Sequence, residues 1–179
     1  MELICPAGTL PALEVAVNAG ADAVYCGFRN ETNARNFPGL NFSREELNAG
    51  TVYAHRYGVK VLVAINSFAR AGALDIWKGA IDDAVEAGAD ALIMADVGMP
   101  AHAVRAHPSQ RIHLSVQAAA ANADAIRFYV ESFGIRRVVL PRILSVPEIA
   151  KIVEEVTCET EVFVYGGLCV MEEGRCALS

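Results

Sequence analysis

Basic runs, long apolar runs and the common catalytic signatures are all missing from this sequence of 179 residues. Lys and Arg number 15 against 21 Asp and Glu, a formal charge of −6. That balance, with no cluster of cations, argues against a protein that grips nucleic acid through its phosphates, so no nucleic-acid partner is expected. No stretch approaches the roughly 18 uninterrupted apolar residues of a spanning helix, and no transmembrane segment is expected. The opening Met1-Glu2-Leu3-Ile4-Cys5-Pro6 lacks the positive start and sustained apolar run of an export signal. Five cysteines, at 5, 26, 158, 169 and 176, are too few and too scattered for a secreted disulfide framework. These absences together predict reduced thiols and a cytoplasmic protein.

Chemistry is excluded in the same way. The sequence has no GxSxG elbow, no HExxH pair, no GxxxxGK(S/T) loop and no GxGxxG turn. Its four histidines stand at 55, 102, 107 and 113. His102 and His107 are five apart, which does not put two ligands on one helical face. His55 reads as a surface or partly buried imidazole, and His113 as a core or rim residue within a strand. No hydrolytic triad assembles from these residues.

What is abundant is apolar material. The hydrophobic share of 54% exceeds the average of about 45–50%, which rules out disorder. Short β-rich runs alternate with amphipathic stretches. Strands are predicted at 2–5, 23–27, 60–66, 91–95, 111–116, 137–141 and 161–165. Runs such as VLVAI, ALIMA and VVL are nearly continuous, as in parallel strands covered on both faces. Helices are predicted after Thr9, after Ser43 with Glu46 at the capping-box position, and after Ser145 with Glu148 at the same offset. A short helix lies between Pro100 and Pro108. The phrase NAGADAV at 18–24 returns as EAGADAL at 86–92, and FGIRRV at 133–138 is a looser copy. Each sets a Gly just past a helix, where a left-handed cap is needed, and then enters a buried strand.

Serial βα units of this kind predict an α/β fold, a TIM-barrel-like (β/α)8 domain. Seven strands fit, whereas a complete barrel takes about 250 residues. Residues 1–179 therefore read as one barrel-like domain that stops after strand seven, the N-terminal fragment of a longer protein. A doubly wound open sheet is the alternative, although no Gly-rich dinucleotide turn follows the first strand.

In a (β/α)8 fold the chemistry sits at the C-terminal ends of the strands. The residues expected there are Cys5, Cys26, Asn30, Asn66, Ser67, Asp96, Ser115, Gln117 and Arg142. Asn66, Asp96, Gln117 and Arg142 are the candidates for holding an oxygen-rich organic ligand. Asn30 and Asn66 are equally ordinary turn residues. Gly166-Gly167 stands where many barrels bind phosphate on backbone N–H groups, so a phosphate-binding barrel enzyme is a further reading.

The last nineteen residues follow E-x-F-x-x-G-x-L-C-x4-G-x-C-x-L-S, from Glu161 to Ser179. By spacing alone, Cys169 and Cys176 make a poor zinc site, and they offer two of the four thiolates an iron–sulfur cluster normally takes. Two buried thiols are the simpler alternative. The pattern resembles the signature of the collagenase-like peptidases, family thirty-two among peptidases of unassigned catalytic type. ELICPAG, GADAVYCG, AINSF, GADALIMADVG and SVQAAAAN extend the likeness along the whole chain. Ile143 stands where many members carry Glu, which counts against a peptidase built on that position. TNARNF with GLNF, PRILS and EEGRCALS look most like the ubiquinone biosynthesis (UbiU) branch of the family. That resemblance implies oxygen-independent hydroxylation of a quinone-precursor ring, in company with a homologous UbiV-type subunit. It also implies a 4Fe–4S cluster, with Cys169 and Cys176 matching two ligands and two more expected beyond Ser179. A collagenase-like peptidase of undefined mechanism is the alternative the family name suggests.

Overall fold

The computed structural model describes residues 1–166. Strand and helix alternate as β1 (Ile4–Pro6), α1 (Leu10–Asn18), β2 (Ala23–Gly27), α2 (Arg44–Arg56), β3 (Lys60–Ile65), α3 (Leu74–Glu86) and β4 (Ala91–Met94). They continue as α4 (Gly98–Ala106), β5 (Arg111–Leu114), a 3-10 turn (Val116–Ala118), α5 (Ala123–Phe133), β6 (Arg137–Val139), α6 (Val146–Glu155) and β7 (Glu159–Glu161). The seven strands form one parallel sheet in chain order, β1 through β7. The architecture is that of seven successive units of a (β/α)8 barrel, with the sheet open between β7 and β1 among the described residues.

Side-chain alternation divides the strands into two faces. Val61, Val63 and Ile65 of β3, with Leu92 and Met94 of β4, pack outward against Leu13, Leu47, Trp77 and Ile81 of the helices. Ala23, Leu62, Ala64, Ala91 and Ile93 point into the barrel as a second, smaller cluster. Both faces being covered is why these strands read as continuous apolar runs. Helix starts follow local chemistry. Thr9 Oγ1 accepts from Ala12 N at 3.3 Å. Ser43 and Glu46 form a reciprocal capping box, with Ser43 N donating to Glu46 Oε2 at 2.8 Å. Asn122, unread in the sequence, caps α5 by accepting from Ala125 N at 2.9 Å.

The repeated turns hold the N-terminal ends of the strands. Gly20, Gly88 and Gly134 take φ of 91°, 84° and 64°, the left-handed region. The Asp that follows then ties the neighbouring strand: Asp22 Oδ2 accepts from Leu3 N and Asp90 Oδ2 from Val61 N, each at 2.7 Å.

Two expectations need correction. The last strand is β7 at Glu159–Glu161, earlier and shorter than the predicted 161–165. Its register pairs Arg137 with Glu159 and Val139 with Glu161, and Arg137 Nε donates to Glu159 Oε2 at 2.8 Å. The apolar VFVY that follows finds no further strand among the described residues, and Val164 and Tyr165 stay exposed. Pro100 lies inside the first turn of α4 rather than before it, a position where a missing N–H breaks no helical bond.

Candidate functional site

A cavity of roughly 280 Å³ opens at the C-terminal ends of the strands, the end at which barrels of this class do their chemistry. Tyr25, Ile93, Val139 and Phe163 give it apolar walls. Gly8 and Leu40 close one side, where the loop after β2 returns across the barrel mouth.

Amides line much of the remainder. Asn66 Oδ1 accepts from Ala34 N at 3.0 Å, while its Nδ2 donates to Ser115 Oγ at 3.3 Å. Ser115 Oγ also accepts from Gln117 N at 3.2 Å, which fixes the 3-10 turn and sets buried Gln117 on the cavity wall. Asn66 is thus both the turn residue and the wall residue that its position allowed. Of the four ligand-holding candidates, Asn66 and Gln117 share the cavity.

Asp96 does not reach it. Its two oxygens accept from Ala69 N at 2.9 Å and Gly98 N at 2.8 Å, so the carboxylate serves the loop entering α4. Arg142 stands beside the cavity, its guanidinium 4.7 Å over the Phe163 ring. Asn30 and Ser67 are loop fasteners. Asn30 Oδ1 accepts from Thr32 N at 3.0 Å, and Ser67 Oγ donates to Glu31 O at 2.5 Å.

Sequence reasoning passed over three polar residues of the 28–43 loop and two on strands. Asn33, Arg35 and Asn41 all line the cavity. Asn33 Nδ2 donates to Asn41 Oδ1 at 2.9 Å, and Asn41 Nδ2 donates to Arg35 O at 2.7 Å. Asn41 takes a φ of 75°, a conformation Asn tolerates better than most residues. The signal for this roof was the loop's length, since connections of this kind usually run about 2–6 residues. Tyr25 and Glu161 were missed because they sit within strands rather than after them. Burial pushes the Tyr25 hydroxyl and the Glu161 carboxyl above their ordinary values.

Gly27 allows the roof to close. A Cβ there would meet Asn33 Nδ2 at 2.5 Å and Cγ at 2.7 Å, and Asn33 is held by Asn41 and by Phe28 O. Gly27→Ala is expected to cost about 1–3 kcal/mol and to free the loop. The check is a lower unfolding midpoint together with faster amide exchange at residues 33–41. An unchanged exchange pattern would mean that Asn33 does not anchor the roof.

Neither a metal centre nor a nucleophile emerges here. Among the described residues no group of three or more His, Cys, Asp or Glu is placed to hold a metal ion. Cys26 is buried on the cavity wall with its thiol pushed up to about 12 by burial, the opposite of a ligating or attacking thiolate. Cys5 and Cys158 are also free thiols, and burial raises Cys158 as well. The described cysteines therefore do not fit a 4Fe–4S cluster. Cys169 and Cys176, the ligands the resemblance implies, lie outside the described residues, as does Gly167. No imidazole lines the cavity. His55 pairs with Asp90 at 2.8 Å and His107 with Asp82 at 2.7 Å, both away from it. No helix among the described residues is long and apolar enough to cross a membrane.

Residues 8–179 match Peptidase family U32. The chain belongs to that family. It is 42% identical over 181 residues to tRNA hydroxylation protein P of Escherichia coli K12, covering 99% of this chain and 39% of that protein. It is 31% identical over 182 residues to the 23S rRNA 5-hydroxycytidine C2501 synthase of the same organism, covering all of this chain and 26% of that one. A collagenase of Porphyromonas gingivalis is 30% identical over 189 residues, covering 99% of this chain and 44% of its own length. The U32 chain thus spans about two fifths of the first of these relatives. Among solved structures, a U32 peptidase superposes with a TM-score of 0.72 at 16% identity, covering 90% of this chain and 68% of that one. A phosphoribosylanthranilate isomerase from Thermotoga maritima gives 0.61 at 11% identity, covering 92% and 77%. Both likenesses are of fold alone.

Proposed function

We propose that this U32 chain is the barrel portion of a cytoplasmic protein that takes part in hydroxylating an unsaturated ring, with a quinone precursor as that ring. The cavity carries the reading. Its roughly 280 Å³ and apolar walls suit one planar ring, and its polar groups include amides, hydroxyls, a guanidinium and a carboxyl. Hydrolysis of peptides, which the family name and the collagenase relative suggest, has no activated nucleophile to use there among the described residues. Among the described residues the cavity lining does not include Gly166, so the phosphate-binding alternative rests on the sequence alone.

Two observations pull in different directions on the substrate. A formal charge of −6 with no basic run favours a small free ring over a polynucleotide. The names of the relatives favour an RNA base, and a nucleobase of RNA is the second reading. Motifs along the chain, TNARNF and PRILS above all, support the quinone precursor and with it a homologous UbiV-type subunit. The same resemblance supports a 4Fe–4S cluster on Cys169 and Cys176 with two further ligands, which would exchange single electrons.

The test uses a host that lacks its own oxygen-independent ring hydroxylation, supplied with the full-length protein and its partner. Mass spectrometry of quinone precursors and of tRNA nucleosides then separates the readings. A new hydroxylated quinone precursor is the expected result. Hydroxylated nucleosides alone would establish the second reading, and neither product would remove both. Anaerobic reconstitution with iron and sulfide should give a broad visible absorbance that Cys169→Ala and Cys176→Ala each abolish. Unchanged absorbance in both variants would take the cluster out of the proposal.

A further inference from the structure

At the β7 edge of the cavity one carboxyl oxygen has no hydrogen-bond donor among the described residues. Glu161 lines the cavity, its side chain is only 18% exposed, and Oε2 has no hydrogen-bond partner among the described residues. Arg137 Nη1 stands 3.6 Å away, an ion-pair distance too long for a hydrogen bond. That guanidinium is already engaged by Glu2 and Glu159. A carboxyl side chain on a stretch of wall otherwise built from Val139 and Phe163 is the kind of isolated polar group that orients a ligand in an apolar cavity. Tyr25 shares this side of the cavity, and the charges of Arg35, Glu161 and Arg142 all act on its hydroxyl. Val139 and Phe163, which flank Glu161 on β6 and just past β7, supply apolar surface for a ring face.

We propose that Glu161 is the group by which the cavity selects a ring bearing a hydroxyl, its carboxyl accepting a hydrogen bond from that hydroxyl while Tyr25, Val139 and Phe163 enclose the ring. The inference rests on the ring-binding reading of the cavity and narrows it to phenol-type rings. A carboxyl accepts from a phenol hydroxyl but gains nothing from the methyl ether of the same ring. Sites built around a substrate hydroxyl reject analogues lacking it, because the buried group is then left unpaired.

Phenol and anisole differ in that one proton and serve as probes. Each is titrated by saturation-transfer NMR into the purified wild-type protein and into the Glu161→Leu, Glu161→Gln and Tyr25→Phe variants. The wild type should prefer phenol by about tenfold or more. Glu161→Leu should lose the preference, Glu161→Gln should keep part of it, and Tyr25→Phe should keep it. Equal binding of the two probes to the wild type, or a preference that survives Glu161→Leu or disappears in Tyr25→Phe, overturns the role of Glu161 and leaves ring binding intact. Binding of neither probe overturns ring binding itself. Should Glu161→Leu fail to fold, the wild-type preference and its reduction in Glu161→Gln decide the matter.

Discussion

Replacing Arg137 with Met should cost the fold about 3–5 kcal/mol, the loss typical of breaking a buried ion pair from one side. Its side chain is 10% exposed and sits among three carboxylates inside the barrel. Nε donates to Glu159 Oε2 at 2.8 Å, Nη2 bonds Glu2, and Nη1 lies 3.6 Å from Glu161. Lys60 Nζ, 2.8 Å from Glu2, and Arg111 Nη2, 2.7 Å from Glu159, complete the group. Glu2 precedes β1 and Arg137 opens β6, so this guanidinium links the first unit to the sixth across the barrel interior. Without it, Glu161, whose side chain is 18% exposed, is left beside Glu2 and Glu159 with no cation at its own depth, while those two keep Lys60 and Arg111. The denaturant midpoint measures the loss. Removing a carboxylate as well, in Arg137→Met with Glu159→Gln, should recover part of it, because fewer unpaired charges remain. Arg44, paired on the surface with Asp83 at 2.8 Å and with Glu86, offers the control. Its replacement should cost less than about 1 kcal/mol. A loss of the same small size for Arg137 would mean that water already reaches the cluster.

That ionic group also marks where the sequence stopped being legible. Local rules were enough for most of the fold. VLVAI and ALIMA are apolar at every position because helices cover one face and the barrel interior the other. The A-G-A-D turns announced themselves because a left-handed Gly and a strand-tying Asp are both needed within a few residues. Glu2, Lys60, Arg111, Arg137 and Glu159, by contrast, meet only in three dimensions, and each reads in sequence as an ordinary strand-end charge. The register of β7 depends on that meeting. The apolar VFVY therefore draws the expected strand to 161–165, which starts two residues later than the Glu159–Glu161 ladder and overlaps it at Glu161 alone.

The candidate site divides along the same line. Position at a strand end pointed to Asn66 and Gln117, since residues there lie near the barrel mouth. It could not distinguish them from Asp96, whose oxygens turn away to two backbone N–H groups. The roof residues Asn33, Arg35 and Asn41 lie in a loop, where no periodicity tells which side chain faces inward. Glu161 was read as the start of a strand, and its inward direction followed only from its pairing with Val139.

The chain should lose stability steadily as the pH falls from neutrality, beginning near 6.5 and before any exposed carboxylate titrates. His113 is buried in β5, its Nε2 accepting from Arg111 Nε at 2.9 Å. Burial first, and then the charges of Arg137 and Arg111, push the imidazole down to about 3 from its ordinary 6.5. Between those values the unfolded chain binds a proton that the folded chain refuses, so stability rises with pH across this window and falls on acidification. The full effect is at most ~5 kcal/mol between pH 7 and pH 3. Glu2 adds to it lower down. Hydrogen bonds from Lys60 and then Arg137 hold its carboxyl down to about 2 from 4.5, so its contribution fades as the pH drops through that interval. Glu161 works in the opposite sense, since burial raises its carboxyl and acid therefore favours its folded, protonated form. His113→Leu separates these contributions. The variant should lose the decline between pH 6.5 and pH 4.5, leaving in that range only the opposite contribution of Glu161, and should keep the decline that Glu2 gives below it. Equilibrium unfolding at half-unit pH steps, wild type beside variant, makes the comparison. Parallel profiles would show that His113 can be protonated in place, with Glu159 absorbing the charge that Arg111 and Arg137 oppose.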